Sequence, residues 1–237
     1  MKKIFVKTQN VKNFINLMNN LINRPETVPG MALVYGEPGL GKSKAVLWWV
    51  AQNDAVYIRG TNLMSGRWLI QEIVEELGEI PYFYSIDMFK QCVRLLTEKQ
   101  IPIIVDEIDY LATDAKTIET IRDIHDKTGV PIIMVGMGKA KQKLMRYKHL
   151  YDRVSEIVEF KSFIKKDVKE IITQLSEVEM TECAISFIYT KSNRFRQIVR
   201  LINKAEQIAH SNGLSTVDEI TLKEFITDET DETAKAG

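Results

Sequence analysis

The stretch Gly36-Glu-Pro-Gly-Leu-Gly-Lys-Ser43 limits most strongly what this chain can become. It follows the apolar run Met31–Tyr35 and leads into a run with helical character from Val46 to Gln52. The spacing fits G-x-x-x-x-G-K-[ST], a loop that turns successive backbone N–H groups inward around a phosphate at the N-terminus of a helix. Lys42 would then reach the β- and γ-phosphates of a nucleotide, and Ser43 would offer its hydroxyl to Mg2+. The cradle therefore comprises Gly36, Glu37, Pro38, Gly39, Leu40, Gly41, Lys42, Ser43 and Lys44, with ATP as its ligand. Such a loop works only between a strand and a helix, so one segment already calls for an α/β layer fold.

The rest of the chain supplies the layers. Met31–Tyr35, Ala55–Arg59, Ile101–Asp106 and Pro131–Gly136 are short, apolar and bounded by Gly, Pro or charge, as buried strands are; Glu156–Phe160 is a weaker fifth. Helical spacing covers Gly66–Leu77 and the segment after Thr113 or Asp114, where Ile118, Ile121 and Ile124 form a stripe and Gly129 a stop. Strands alternating with helices predict a largely parallel sheet. Ahead of the first strand, Phe14, Leu17, Met18 and Leu21 make a helical stripe that packs back on the sheet.

After Phe160 only helices are expected: Lys165–Ser176, Thr181–Thr190, Phe195–Asn212 and Thr216–Ile226, the last opened by a Thr216-x-x-Glu219 capping box. The predicted division is an N-terminal linker and helix (1–30), an ATPase core (31–161), a helical lid (162–226) and an acidic disordered tail (227–237).

A second motif supports the first. Ile101 to Asp109, IPIIVDEID, is an apolar strand ending in adjacent carboxylates. Asp106 would hold Mg2+ with Ser43, and Glu107 would orient a water for attack on the γ-phosphate. Asp109 is read as a further ligand or as a surface residue. Positive charge for the developing transition state is sought in Arg146 and Arg153 before the fifth strand, and in Arg194, Arg196 and Arg200, within reach of a cleft between the two domains.

Composition narrows the function classes. With 45% hydrophobic and 27% charged residues the chain is globular, and no stretch has signal-peptide or membrane-span length, which predicts a cytoplasmic protein without a membrane partner. Lys+Arg and Asp+Glu balance at 32 each, so any polyanion site is local. Cys92 and Cys183 are far apart and are read as buried structural thiols, and the scattered His125, His149 and His210 as packing or surface residues.

The order of these motifs, closing with Arg-Val before a fifth strand and a helical lid, resembles the AAA+ P-loop ATPases, with a parallel five-stranded sheet flanked by helices and a small C-terminal helical lid domain. More narrowly, the run around the glycine loop, Asp54–Arg59, IVEELG, IIVDEIDYL and IRDIHDKTGVPIIMVGMG look like the phage Mu B and TnsC-like target-selection ATPases, over about residues 10 to 210. The resemblance implies a homo-oligomeric ring or filament on double-stranded DNA, bound without sequence preference, that selects transposition targets and activates a transposase, and it implies a phage or mobile-element origin. By position, Arg153 matches an arginine finger entering a neighbour's site, Arg196 a lid arginine contacting the γ-phosphate, and Asn10 and Val11 the linker against the adenine.

Two departures qualify the match. Val135-Gly136-Met137-Gly138 stands where a polar side chain usually follows the fourth strand, which predicts slow hydrolysis or help from a backbone group. Only some thirty residues precede the glycine loop, so DNA contact is expected from the ATPase domain itself, at Arg59, Arg67, Lys90 and Arg94. Competing readings are a helicase loader of the IstB-like kind, acting with a helicase or single strands, and a nucleotide-gated scaffold that scarcely hydrolyses.

Overall fold

The computed structural model describes residues 1–223. Up to Phe160 the chain runs α1 (Gln9–Ile22), β1 (Met31–Gly36), α2 (Lys42–Val50), β2 (Val56–Arg59), α3 (Gly66–Glu76), α4 (Ser85–Lys99), β3 (Ile103–Asp106), α5 (Ile108–Leu111), α6 (Ala115–Thr128), β4 (Ile132–Gly136), α7 (Ala140–Leu144), α8 (Lys148–Tyr151) and β5 (Val154–Phe160). Two compact units result, one of Asn10–Pro38 with Lys42–Phe160, the other of Met1–Gln9, Gly39–Gly41 and the chain from Lys161 onward.

In the first unit the five strands form one parallel sheet in the order β2-β3-β4-β1-β5. The three inner strands are buried along almost their whole length, as strands covered by helices on both faces must be. Edge strand β5 alternates instead, with Val154, Ile157 and Val158 among charged residues. That alternation explains its weaker sequence signal, because half of an edge strand need not be apolar. One core cluster joins Leu33, Ile58, Ile73, Leu96, Val105, Ile121 and Met134 across the sheet and its helices. The stripe Phe14, Leu17, Met18 and Leu21 of α1 is buried.

Helix ends follow local chemistry. Asp114 caps α6 by accepting from the N–H groups of Lys116 and Thr117 at 3.1 and 3.3 Å, and Gly129 ends that helix with a left-handed φ of 68°. Helix α4 buries Met88, Gln91, Cys92, Leu95 and Leu96 at helical spacing against a largely charged outer face, behind an exposed aromatic run that obscures where it starts.

In the second unit, α9 (Lys165–Leu175), α10 (Glu182–Lys191) and α11 (Phe195–Asn212) pack around Val168, Ile172, Ile188, Ile198 and Ile202. Val6 joins that core, and the Lys2 N–H donates to Leu175 O at 2.8 Å. Helices are not alone here: β6 (Glu179–Met180) and β7 (Thr216–Val217) form a short parallel pair. Thr216 is therefore in a strand, and no Thr216–Glu219 capping box forms. Asp218 does the capping, accepting from Thr221 N–H at 2.8 Å. The expected end of that helix at Ile226 and the acidic tail lie outside the described residues. Cys92 is buried, its thiol pushed up to about 12 by burial, whereas Cys183 is exposed on α10, contrary to expectation. Among the described residues no helix is long and apolar enough to cross a membrane.

His125 fastens the entry of β1. Its Nε2 accepts from the Gly30 N–H at 3.1 Å, and its Nδ1 donates to Val130 O at 2.9 Å, which fixes the neutral tautomer. Burial pushes the imidazole below the usual histidine range. Its contribution to stability is therefore complete above the ordinary value of 6.5 and is lost as pH falls from there through the lower folded-state value. The melting temperature of the wild type should fall further between about pH 7.5 and about pH 5.5 than that of His125→Asn; equal falls would show that His125 does not titrate with unfolding.

Candidate active site

Parallel strands end together, so the residues that follow β1, β3 and β4 share one edge of the sheet. β4 lies between β1 and β3, which places those two strands about 10 Å apart. At the end of β1, Gly36 lies so close to β5 that a Cβ would meet Phe160 O at 2.4 Å. Gly39 and Gly41 take φ of +85° and +93°, a backbone path that only glycine follows without strain. Leu40 is buried and anchors the loop, while Glu37 and Pro38 are exposed.

Lys42 opens α2, and its ammonium folds under the loop, donating to Gly36 O at 2.6 Å and Glu37 O at 3.0 Å. Burial lowers its pKa from the usual lysine value, and the carboxylates of Asp106, Glu107, Asp109 and Glu37 act in the opposite sense. Ser43 and Lys44 are exposed in the first turn of α2. Within the unit that contains Gly39, the Arg196 N–H donates to Gly39 O at 3.1 Å, and Arg194 stands at the N-cap of α11. Asn10 and Val11 are buried in the first turn of α1.

Asp106 ends β3 with only 3% exposure. Its Oδ1 accepts from the Glu107 N–H at 2.8 Å and its Oδ2 from the Tyr57 hydroxyl at 3.0 Å. Both donors are neutral, so the carboxylate's charge remains at the strand end. Burial, then the Asp106 charge, push the Tyr57 phenol well above its ordinary range. Tyr57 lies on β2 beside β3, and the period-two pattern of β2 carries no mark of this role. A carboxylate and a serine hydroxyl are hard oxygen donors of the kind Mg2+ takes alongside phosphate oxygens. Asp106 and Ser43 fit that ion. Among the described residues no cluster of three or more His, Cys, Asp or Glu forms a metal cage.

Glu107 has φ 57° and ψ 38°, a left-handed conformation rare outside glycine and asparagine, which turns the chain sharply from β3 into α5. Its carboxylate lies 3.6 Å from the Arg59 guanidinium at the end of β2. Asp109 is not a surface residue. It is 6% exposed, its Oδ2 accepts from the Met137 N–H after β4, and its Oδ1 lies 3.3 Å from Lys143 Nζ on α7. The apolar segment after β4 is thus held by a carboxylate from α5, and the Met137 backbone donor is already engaged.

Arg153 lies elsewhere. It precedes β5, where its carbonyl accepts from the Met31 N–H at the start of β1, and β1 then runs roughly 16 Å to reach the glycine loop. Its guanidinium pairs with Asp126 through Nε and a terminal nitrogen, each at 3.1 Å. Arg146 is exposed after α7. Of the remaining basic candidates, Arg67 donates to Ser85 Oγ at 2.8 Å and Phe83 O at 2.7 Å, and Arg94 lies 3.3 Å from Glu98. Lys90 is exposed on α4. Arg67 and Gln91 brace a loop that leads into α4 and shows Ile80, Phe83 and, in the first turn of α4, Ile86 at 85%, 80% and 67% exposure.

Removing Asp109 tests the tether. Asp109→Ala should destabilise the unit by about 1–3 kcal/mol in denaturant unfolding, and Asp109→Asn, which keeps an acceptor for Met137, by less. Equal losses would show that the acceptor oxygen is immaterial.

A family model described as AAA domain matches residues 26–144. Among solved structures, the chain is similar to the Aeropyrum pernix ORC2 protein in its ADPNP-ADP complexes, with TM-score 0.70 and 14% identity over 94% of this chain and 68% of that one. The Aeropyrum pernix ORC1 protein in complex with DNA gives TM-score 0.65 and 14% identity, over 94% and 66%. A mutant of Thermotoga maritima RuvB gives TM-score 0.63 and 18% identity, over 91% and 67%. At such identities the likeness is one of fold. Among curated proteins, none matches the chain in sequence.

Proposed function

The chain belongs to the AAA domain family and is an ATPase, and from that premise we propose that it assembles on double-stranded DNA as an ATP-dependent ring or filament that selects transposition targets and recruits or activates a transposase. One observation carries the assembly step. Arg153 stands at the opposite end of β1 from Lys42, too far to serve its own site, and its side chain is half-exposed. An arginine so placed acts on a neighbour, and the neighbour's γ-phosphate then reports assembly.

In this reading Lys42 leaves its loop carbonyls to meet the β- and γ-phosphates, and Arg196 takes the lid-arginine role that the sequence resemblance implies. Asn10 and Val11 lie against the adenine. Asp106, steadied by Tyr57, and Ser43 would hold Mg2+, which would neutralise phosphate charge when bound. Glu107 accepts a proton from the attacking water once Arg59 releases its carboxylate. With the Met137 N–H committed to Asp109, hydrolysis is slow until DNA or a partner stimulates it. DNA enters this reading because the similar ORC1 structure is a DNA complex, and the transposition role because of the sequence resemblance around residues 36–43 and 121–138.

Lys42→Ala should lose ATP binding, read by a fluorescent nucleotide, whereas Glu107→Gln should bind normally and hydrolyse at least a hundredfold more slowly. Electron microscopy with duplex DNA should show filaments or stacked rings with a slowly hydrolysed ATP analogue and none with ADP. A marked preference for single strands would replace target selection with the helicase-loader reading.

A further inference from the structure

Wholly within the helical unit, a hollow of about 400 Å³ opens on α10 and α11, lined chiefly by Lys191, Gln197, Arg200, Asn203, Lys204 and Gln207. No carboxylate lines it. The sequence here is one-sided: from Lys191 to Lys204 the cations are Lys191, Arg194, Arg196, Arg200 and Lys204, without one Asp or Glu. In a chain whose charges balance, such a run is a local positive field.

The amides strengthen the same preference. Gln197 Oε1 already accepts from the Ser192 hydroxyl at 2.5 Å, and Ser192 Oγ in turn accepts from the Arg194 N–H at 3.1 Å. With its oxygen engaged, the Gln197 amide turns its N–H donors outward. Gln197, Arg200, Lys204 and Gln207 follow one another at helical spacing on one face of α11, a strip about 15 Å long. A duplex rises about 3.4 Å along its axis for each phosphate of one strand, and consecutive phosphates of that strand lie about 7 Å apart, so the strip matches a run of about three phosphates and exceeds a single anion. The basic residues expected to touch DNA from the sequence are engaged elsewhere in three cases: Arg59 faces Glu107, Arg67 braces the loop at Phe83, and Arg94 pairs with Glu98.

We propose that the α10–α11 hollow is a nucleic-acid backbone site, in which Lys191, Arg200 and Lys204 neutralise successive phosphates of duplex DNA while Gln197 and Gln207 donate to their oxygens, without reading sequence. This rests on the DNA-binding reading above and adds to it the surface that makes the contact. Arg200, one of the cations sought for the nucleotide site from the sequence, lines this hollow; Lys191 and Lys204 have no place in the nucleotide machinery, so ATP binding by variants of those two is an independent control of folding.

The test is the salt dependence of duplex binding, by fluorescence anisotropy of a labelled random-sequence duplex with a slowly hydrolysed ATP analogue. Three phosphate contacts contribute about 2.7 to the slope of log K against log salt. The triple variant Lys191→Gln, Arg200→Gln, Lys204→Gln should lose about that much slope per bound subunit and bind at least tenfold more weakly near 0.1 M salt, and the double variant Lys191→Gln, Lys204→Gln should lose about 1.8 of slope with fluorescent-nucleotide binding unchanged. The single Arg200→Glu variant should weaken binding in the same direction, and Lys90→Gln with Arg94→Gln should leave the slope nearly intact. If the triple variant keeps the wild-type slope while wild type binds duplex, the hollow is not the DNA site and the DNA-binding reading stands. If wild type does not bind duplex even at low salt, both fall together.

Discussion

A phosphate can be held by backbone N–H groups only where those groups are not already spent on a helix or a sheet ladder. The rest of this structure follows from meeting that condition at the end of β1. Gly36 allows the chain to leave the sheet against Phe160, Gly39 and Gly41 turn it with positive φ, and α2 begins with Lys42. The turn brings backbone donors and a lysine to one point, and the parallel sheet brings Asp106 to the same edge, one strand beyond β4.

Concentrating charge there has a structural cost that the surroundings offset. Asp106 is nearly inaccessible, and two neutral donors, Tyr57 and the Glu107 N–H, hold it without cancelling its charge. A salt bridge to arginine would have stabilised the carboxylate more strongly but would have silenced it for a metal. Arginine goes instead to Glu107 through Arg59, and Asp109 is consumed by Lys143 and Met137. Three carboxylates within four residues thus have three fates, set by which neighbour each one meets. The left-handed turn at Glu107 separates the first from the last and carries the chain into α5, from which Asp109 reaches Met137.

Much of this was legible in the sequence. The inner strands are continuous apolar runs because both their faces are covered, and Gly129 and Asp114 mark the ends of α6 through their own backbone chemistry. β5 was faint because an edge strand needs only half its residues apolar. Helix α4 shows its period in Met88, Cys92, Leu95 and Leu96, but its start is hidden behind an exposed aromatic run that resembles no helix cap. Thr216 and Asp218 both suit a helix start, and only the pairing of Met180 with Val217 decides which one acts. Of the site, the loop and the β3 carboxylates stand out at fixed spacing, while Tyr57 and Lys143 reach them across strands and helices, a relation that no local spacing records. The partners of the arginines were equally invisible, since Asp126 meets Arg153 only after α6 has packed beside β5's entry.

The central claim is that one subunit's arginine completes another subunit's site. Mixing two inactive variants tests it directly: Glu107→Gln keeps Arg153 but cannot hydrolyse, and Arg153→Ala keeps Glu107 but lacks the arginine. Steady-state ATP hydrolysis on duplex DNA should be near zero for each variant alone and should recover when they are mixed, because Arg153 of one then serves Glu107 of the other. A mixture no more active than its components, with both variants co-assembled on the DNA, would contradict action between subunits.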